Sequence, residues 1–109
     1  VFIMPSRREG FGFVFLEAMA HGVPVIGGNL DATPEVIADG ETGCLVDPTS
    51  VEAIASAAAR LLGDPALRQR MGAAARQRAA RLFGFPRFKR QLLAHLAEVE
   101  PRLAWPVQA

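Results

Sequence analysis

Three short apolar runs, Val1-Phe2-Ile3-Met4, Pro24-Val25-Ile26 and Cys44-Leu45-Val46, are each cut off within a few residues by proline or glycine. Such runs, apolar throughout instead of alternating, suit strands covered on both faces. The segments between and after them carry helical patterns. Strand, helix, strand, short helix, strand, helix is the order that makes an α/β fold with a parallel sheet and right-handed crossovers. With 109 residues there is material for one small core, not two. The first run opens at Val1 with no preceding Met, so the chain is expected to be a fragment or trimmed domain whose first strand is already under way.

The first run ends at Pro5-Ser6, because proline removes a ladder donor. Phe11-Gly12-Phe13-Val14-Phe15-Leu16 has strand-like propensity, but Glu17-Ala18-Met19-Ala20-His21 is strongly helix-forming and Gly22 suits a left-handed cap. A buried helix is therefore expected from about Phe11 to His21. The second strand ends at Gly27-Gly28. A brief helix follows Asp31-Ala32, with Thr33 as cap and Pro34 at the first helical position. Asp39–Gly43 is a turn, and the third strand ends at Asp47-Pro48. Thr49-Ser50-Val51-Glu52 matches a capping box, and Val51, Ile54, Ala55, Ala58, Leu61 and Leu62 line one face of the helix it opens. Gly63 stops that helix, Asp64 caps the next and Pro65 opens it. Leu67, Met71, Ala74, Arg78 and Leu82 recur at helical spacing, with the Arg78 stem covering the stripe. A last helix from about Phe85 uses Phe88, Leu92, Leu96 and Val99, and Pro101 ends it. Residues 1–100 thus form the domain and 101–109 a tail.

Net charge is only +1, yet nine basic residues stand against one acid, Asp64, between Ala53 and Ala97. Clustered basic side chains attract anionic lipid headgroups, so these helices could make a weak peripheral membrane contact at the inner face of a membrane. Eleven Arg to one Lys, amid many Ala, favours the plainer alternative of a solvated helix face in an arginine-rich proteome. No nucleic-acid partner is expected, since no binding signature or interleaved aromatic platform accompanies the charge. No apolar stretch approaches the roughly 18–20 residues that span a bilayer, and no signal peptide is seen. Cys44 is the only cysteine, which precludes an internal disulfide and a cysteine-based zinc site and fits a reducing cytoplasm.

Ligands of parallel sheets sit at the carboxyl ends of the strands, so the loops at Pro5–Gly12 and Gly27–Thr33 have the best claim to chemistry. In the first, Glu9 precedes Gly10-Phe11-Gly12 and a helix, and Glu17 follows eight residues on. Glycines let backbone approach a ligand, and the first amides of a helix, at the positive end of its dipole, can hold phosphate oxygens or sugar hydroxyls. Eight helical positions rise about 12 Å, too far for one acid/base pair on a single bond. The two carboxylates suit a long ligand gripped at two places.

Pro5-Ser6, Glu9-Gly10-Phe11-Gly12 through Glu17-Ala18-Met19-Ala20, Gly22-Val23-Pro24-Val25-Ile26, Pro34-Glu35-Val36-Ile37 and Gly43-Cys44-Leu45-Val46-Asp47-Pro48 together resemble glycosyltransferase family 4, with its E-x7-E motif, from Val1 to roughly Ala97. The resemblance implies the Rossmann-like second half of the C-terminal domain of a two-domain GT-B enzyme. Such an enzyme moves a hexose from a nucleoside diphosphate sugar with retention at the anomeric carbon, and needs no cofactor or tightly bound metal; the absence of a D-x-D motif agrees. Carried over, Glu9 is the catalytic candidate and approaches the donor sugar's hydroxyls. The amides around Gly10, Phe11 and Gly12 hold sugar and diphosphate oxygens. Phe13 and Val14 lie beside nucleoside and phosphate through their backbone, and Glu17 accepts hydrogen bonds from the ribose. The sugar, the nucleotide base and the acceptor stay open.

The same residues have plainer readings: Glu9 as a helix-dipole partner, Glu17 as a surface carboxylate, Glu35 as a first-turn acid, His21 as a last-turn dipole partner and Cys44 as a small core residue. What is missing matters more. The family supplies basic groups for the diphosphate from residues before Val1, and the acceptor site from an N-terminal domain, so this chain alone is expected to be inactive. The alternative is a non-catalytic nucleotide-sugar-binding or interaction module of the same fold. A dehydrogenase fits poorly, because Gly10-Phe11-Gly12 lacks the third glycine and the distant ribose acid of the dinucleotide fingerprint.

Overall fold

A computed structural model of the chain describes residues 1–103. Strands β1 (Phe2–Met4), β2 (Val25–Gly28) and β3 (Gly43–Val46) form a parallel sheet in the order β1-β2-β3. Phe2 lies opposite Val25, and Val25 opposite Gly43. Helices α1 (Phe13–Ala20) and α2 (Thr33–Val36) fill the crossovers, and α3 (Val51–Gly63), α4 (Pro65–Phe83) and α5 (Phe85–Val99) follow, ending in a short 3-10 turn (Pro101–Leu103). This is the expected Rossmann-like α/β arrangement.

The central strand β2 is buried along its whole length. Alternate residues of a strand point to opposite faces, so Val25 and Ile26 feed separate clusters. Val25 joins Phe15, Met19, Val36, Ile37, Ala75 and Ala79 on one side. Ile26 joins Cys44, Val46, Leu61 and Met71 on the other. The Phe2 ring meets Phe15 edge-on at 5.8 Å, which fastens β1 to α1. Helix α1 closes in a Schellman motif: the Gly22 amide donates to the Met19 carbonyl at 2.9 Å and the Val23 amide to Ala18 at 3.0 Å. Gly22 supplies the left-handed turn this requires, at φ 72°.

Several expectations need correction. Helix α1 starts at Phe13 and not at Phe11, because Gly12 adopts a left-handed φ of 87° that an α-helix cannot contain. Thr33 does not cap α2; Ala32 occupies that position with no side-chain bond, and Thr33 is buried with its hydroxyl unpartnered among the described residues. The cap of α3 is Ser50, whose hydroxyl accepts from the Ala53 amide at 3.1 Å. Thr49 instead donates its hydroxyl to Asp47 at 2.7 Å. On α3, Leu61 is buried and Ala53, Ile54, Ala57 and Ala58 pack against its cluster, while Val51, Ala55 and Leu62 face outward. The buried stripe of α4 is Met71, Gly72, Ala75 and Ala79, rotated from the expected one, because Gly72 packs on the Gly22 carbonyl where any Cβ would overlap.

Asp64 caps α4 as expected, accepting from the Leu67 amide at 2.9 Å. Arg68 reaches back from that helix to the Leu61 and Leu62 carbonyls at 2.8 and 2.6 Å, closing the end of α3. Helix α5 spans the expected residues, but the stripe it was expected to use stays open. None of its residues is buried, and Phe88, Leu92, Leu96 and Val99 are 56%, 44%, 44% and 84% exposed. The helix projects from the body, giving a radius of gyration of 16.6 Å where a compact chain of this length has about 13 Å. The expected tail lies, beyond Leu103, outside the described residues.

Candidate functional site

The strands run parallel, so the loops after β1 and β2 emerge at the same edge of the sheet. The first spans residues 5–12 and turns immediately, the Ser6 amide donating to the Met4 carbonyl at 2.9 Å. At its far end Gly12 bends into α1. A Cβ there would lie 2.7 Å from the Phe15 ring, and the left-handed φ is one that L side chains rarely adopt, so glycine is required twice over. No side chain caps α1. The amides of its first turn, those of Phe13 and Val14, thus face the loop with the positive end of the helix dipole behind them.

Glu9 is half-buried. Its amide donates to Asp31 Oδ2 at 3.2 Å, which joins the β1 loop to the β2 loop. Asp31 itself sits at φ 54°, the single non-glycine residue with positive φ among the described residues. Glu17 is exposed on α1 and lines a groove of about 360 Å³ against α4, beside Arg76, Ala79 and Phe83. No hydrogen bond links Glu9 to Glu17 among the described residues, and this groove is not lined by Glu9. Their expected separation by helical rise also fails, because Gly10, Phe11 and Gly12 are not helical.

The Phe11 ring lies tilted against Phe13 at 5.1 Å and meets Phe83 edge-on at 5.7 Å. Phe13 stays 70% exposed. Together with Leu16, Phe83, Phe85 and Phe88 these rings line an apolar groove of about 760 Å³ where α1 meets the α4–α5 junction. Gly10 is exposed and Val14 is 38% exposed. His21 behaves as a helix-end group: its Nδ1 lies 2.8 Å from the Glu17 carbonyl, so that nitrogen carries the proton. Glu35 is exposed in the first turn of α2. Cys44 is buried in the core, and that burial pushes its thiol pKa up. At the end of β3 the backbone amide and hydroxyl of Thr49 hold the Asp47 carboxyl below its usual range.

Sequence reasoning missed two polar links. Asp31 had a faint signal, since Asx residues tolerate left-handed backbone. Arg78 had none: instead of merely covering its own helix, its guanidinium donates to the Val36 carbonyl at 2.8 Å and the Glu35 carbonyl at 3.0 Å, closing α2 from a position 42 residues away.

Comparison with known proteins follows the same outline. Over 83 residues the chain is 47% identical to a GDP-mannose-dependent alpha-(1-6)-phosphatidylinositol monomannoside mannosyltransferase of Mycolicibacterium smegmatis, an alignment taking in 70% of this chain and 22% of that protein. A sucrose-phosphate synthase from Thermosynechococcus elongatus superposes with a TM-score of 0.74 at 37% identity, covering 85% of this chain and 25% of the other. The C-terminal domain of a glycosyl transferase group 1 family protein from Francisella tularensis gives 0.70 at 35% identity, over 76% of this chain and 43% of that one. This chain spans about a fifth of the length of the curated relatives it matches. Residues 1–78, from β1 into α4, match the family described as glycosyl transferases group 1, and the chain belongs to that family.

Proposed function

We propose that this chain is the back half of the donor-binding domain of a retaining family 4 glycosyltransferase, which transfers a hexose from a nucleoside diphosphate sugar and is inactive without the rest of its protein. The observation that carries this is the uncapped amide end of α1, set behind the left-handed Gly12 at the sheet edge where the β1 and β2 loops meet. Backbone donors so placed suit the oxygens of a diphosphate, on which negative charge develops as the glycosidic bond breaks. Glu9, at the mouth of the loop, is assigned to the donor sugar. Gly10, Phe11, Gly12, Phe13 and Val14 are assigned to sugar and diphosphate through their backbone, and Glu17 to the ribose. A relative 47% identical to this chain is named as GDP-mannose-dependent, which supports a nucleotide-sugar donor.

No helix among the described residues is long and apolar enough to cross a membrane. We place the enzyme in the cytoplasm, with the basic helices free to touch an anionic membrane face.

In the intact enzyme, Glu17→Ala should raise the donor KM on the order of tenfold to a hundredfold, the worth of hydrogen bonds to a charged carboxylate, while Glu9→Gln should lower kcat. Donor kinetics untouched by both changes would sink this assignment. Calorimetric binding of nucleotide sugars without turnover would instead identify a non-catalytic module.

A further inference from the structure

Between strand end and helix start, the loop of residues 5–12 carries Glu9 with little to hold it: it contains no regular secondary structure, and Arg7, Arg8 and Gly10 are exposed. One polar tether reaches it from the neighbouring loop, the bond from the Glu9 amide to Asp31 Oδ2 across 22 residues of sequence. Among the described residues no other side-chain hydrogen bond joins these two loops. Asp31 makes this bond from a left-handed backbone at φ 54°, a conformation that glycine would adopt without strain. Aspartate and asparagine also tolerate this conformation, so the turn leaves Gly, Asn and Asp as candidates, and of these only Asp offers a carboxylate. That carboxylate touches the amide of the residue assigned to the donor sugar.

We propose that Asp31 is a positioning residue for Glu9: its carboxylate takes the Glu9 amide hydrogen and so fixes where the Glu9 side chain stands relative to the donor sugar. This rests on the assignment of Glu9 to the donor site. A charge-assisted bond to a backbone N–H is short-ranged and directional, so it holds the main chain at Glu9 while leaving the Glu9 carboxylate free for a ligand. Such a tether acts on the reacting end of the donor and not on the nucleoside end. Losing it should cost turnover more than nucleotide affinity, since a small misplacement of a reacting-site group is felt in the transition state.

The test uses the intact enzyme and three variants. Asp31→Gly keeps the left-handed turn and removes the acceptor; Asp31→Asn tolerates the same turn and retains a carbonyl oxygen as acceptor; Glu9→Gln probes the assignment beneath the proposal. Asp31→Gly should lower kcat on the order of tenfold, as expected for loss of a hydrogen bond to a charged group, with the affinity for the free nucleoside diphosphate, which lacks the sugar, unchanged. Asp31→Asn should recover kcat to within about threefold of the parent, because a neutral acceptor bonds more weakly than a carboxylate. By hydrogen exchange the Glu9 amide should be protected in the parent and in Asp31→Asn and exchange freely in Asp31→Gly. Parental kcat in Asp31→Gly, an equal loss in both Asp31 variants, or loss of nucleoside diphosphate binding in step with kcat would each overturn the proposal while leaving the donor-site assignment standing. Parental kcat in Glu9→Gln would overturn that assignment and this proposal with it. If Asp31→Gly fails to fold, a rapidly exchanging Glu9 amide in the parent enzyme is sufficient to overturn the tether.

Discussion

At the scale of single residues, Thr33 presents an unusual combination. It is 1% exposed, its methyl group faces Gly27, and its hydroxyl finds no partner among the described residues. A buried hydroxyl left unsatisfied costs about 1–3 kcal/mol, while the methyl that would replace it in valine has nearly the same volume. Thr33→Val should therefore raise stability by about 1 kcal/mol, the low end of that range, seen as a higher denaturant midpoint with unchanged slope. A fall in the midpoint would mean that the hydroxyl has a bound partner in solution. Arg78 stands at the other extreme, as a polar group whose donors are spent on the open end of α2. The guanidinium also lies 5.9 Å from the Phe83 ring centre, so this half-buried side chain ties the end of α2 to α4.

Among the elements, the contact of α1 with α4 depends on two glycines. A Cβ at Gly72 would overlap the Gly22 carbonyl, and Gly22 is itself the residue that terminates α1. Alanine is the better helix former by about 1 kcal/mol, but forcing the two backbones apart costs about 1–3 kcal/mol, so the clash outweighs the propensity. Gly72→Ala should lower the unfolding midpoint, and a rise would show that the helices separate without loss. This contact also shows where sequence reasoning reached its limit. The order of strands and helices was legible because proline, glycine and short apolar runs punctuate it locally. The caps at Asp64 and Gly22 were legible for the same reason. The face of α4 was not, because in a helix built largely of Ala and Arg the apolar contrast is faint and the decisive contact is a missing side chain. Nor was the start of α1: Phe11 suits a helix, and only the conformation of Gly12 excludes it. At the candidate site, the placement of the Glu9–Gly12 loop followed from the parallel topology. The Asp31 and Arg78 links did not, since their partners lie 22 and 42 residues away, beyond any local pattern.

For the molecule as a whole, the sheet and α1–α4 make the body and α5 stands apart, giving extents of 54 × 28 × 17 Å. Protection of helix amides tracks burial, and α5 buries no residue. In the 109-residue chain on its own, α5 should exchange its amides faster than α4 by at least about tenfold, measured by mass spectrometry of the corresponding peptides. Equal protection would show that the exposed Phe88 and Leu92 find cover. The body carries one thiol, Cys44, 7% exposed beneath α3. Its pKa is raised from 9.0 chiefly by desolvation. The neutral thiol is thus the form the fold favours: its contribution to stability is whole below the ordinary thiol value and drains away as pH climbs through the raised one. With a single cysteine in the chain, alkylation at neutral pH becomes a stopwatch. Each tagged molecule records an opening that uncovered Cys44, and where alkylation outpaces reclosing the tagging rate counts those openings with no engineered label.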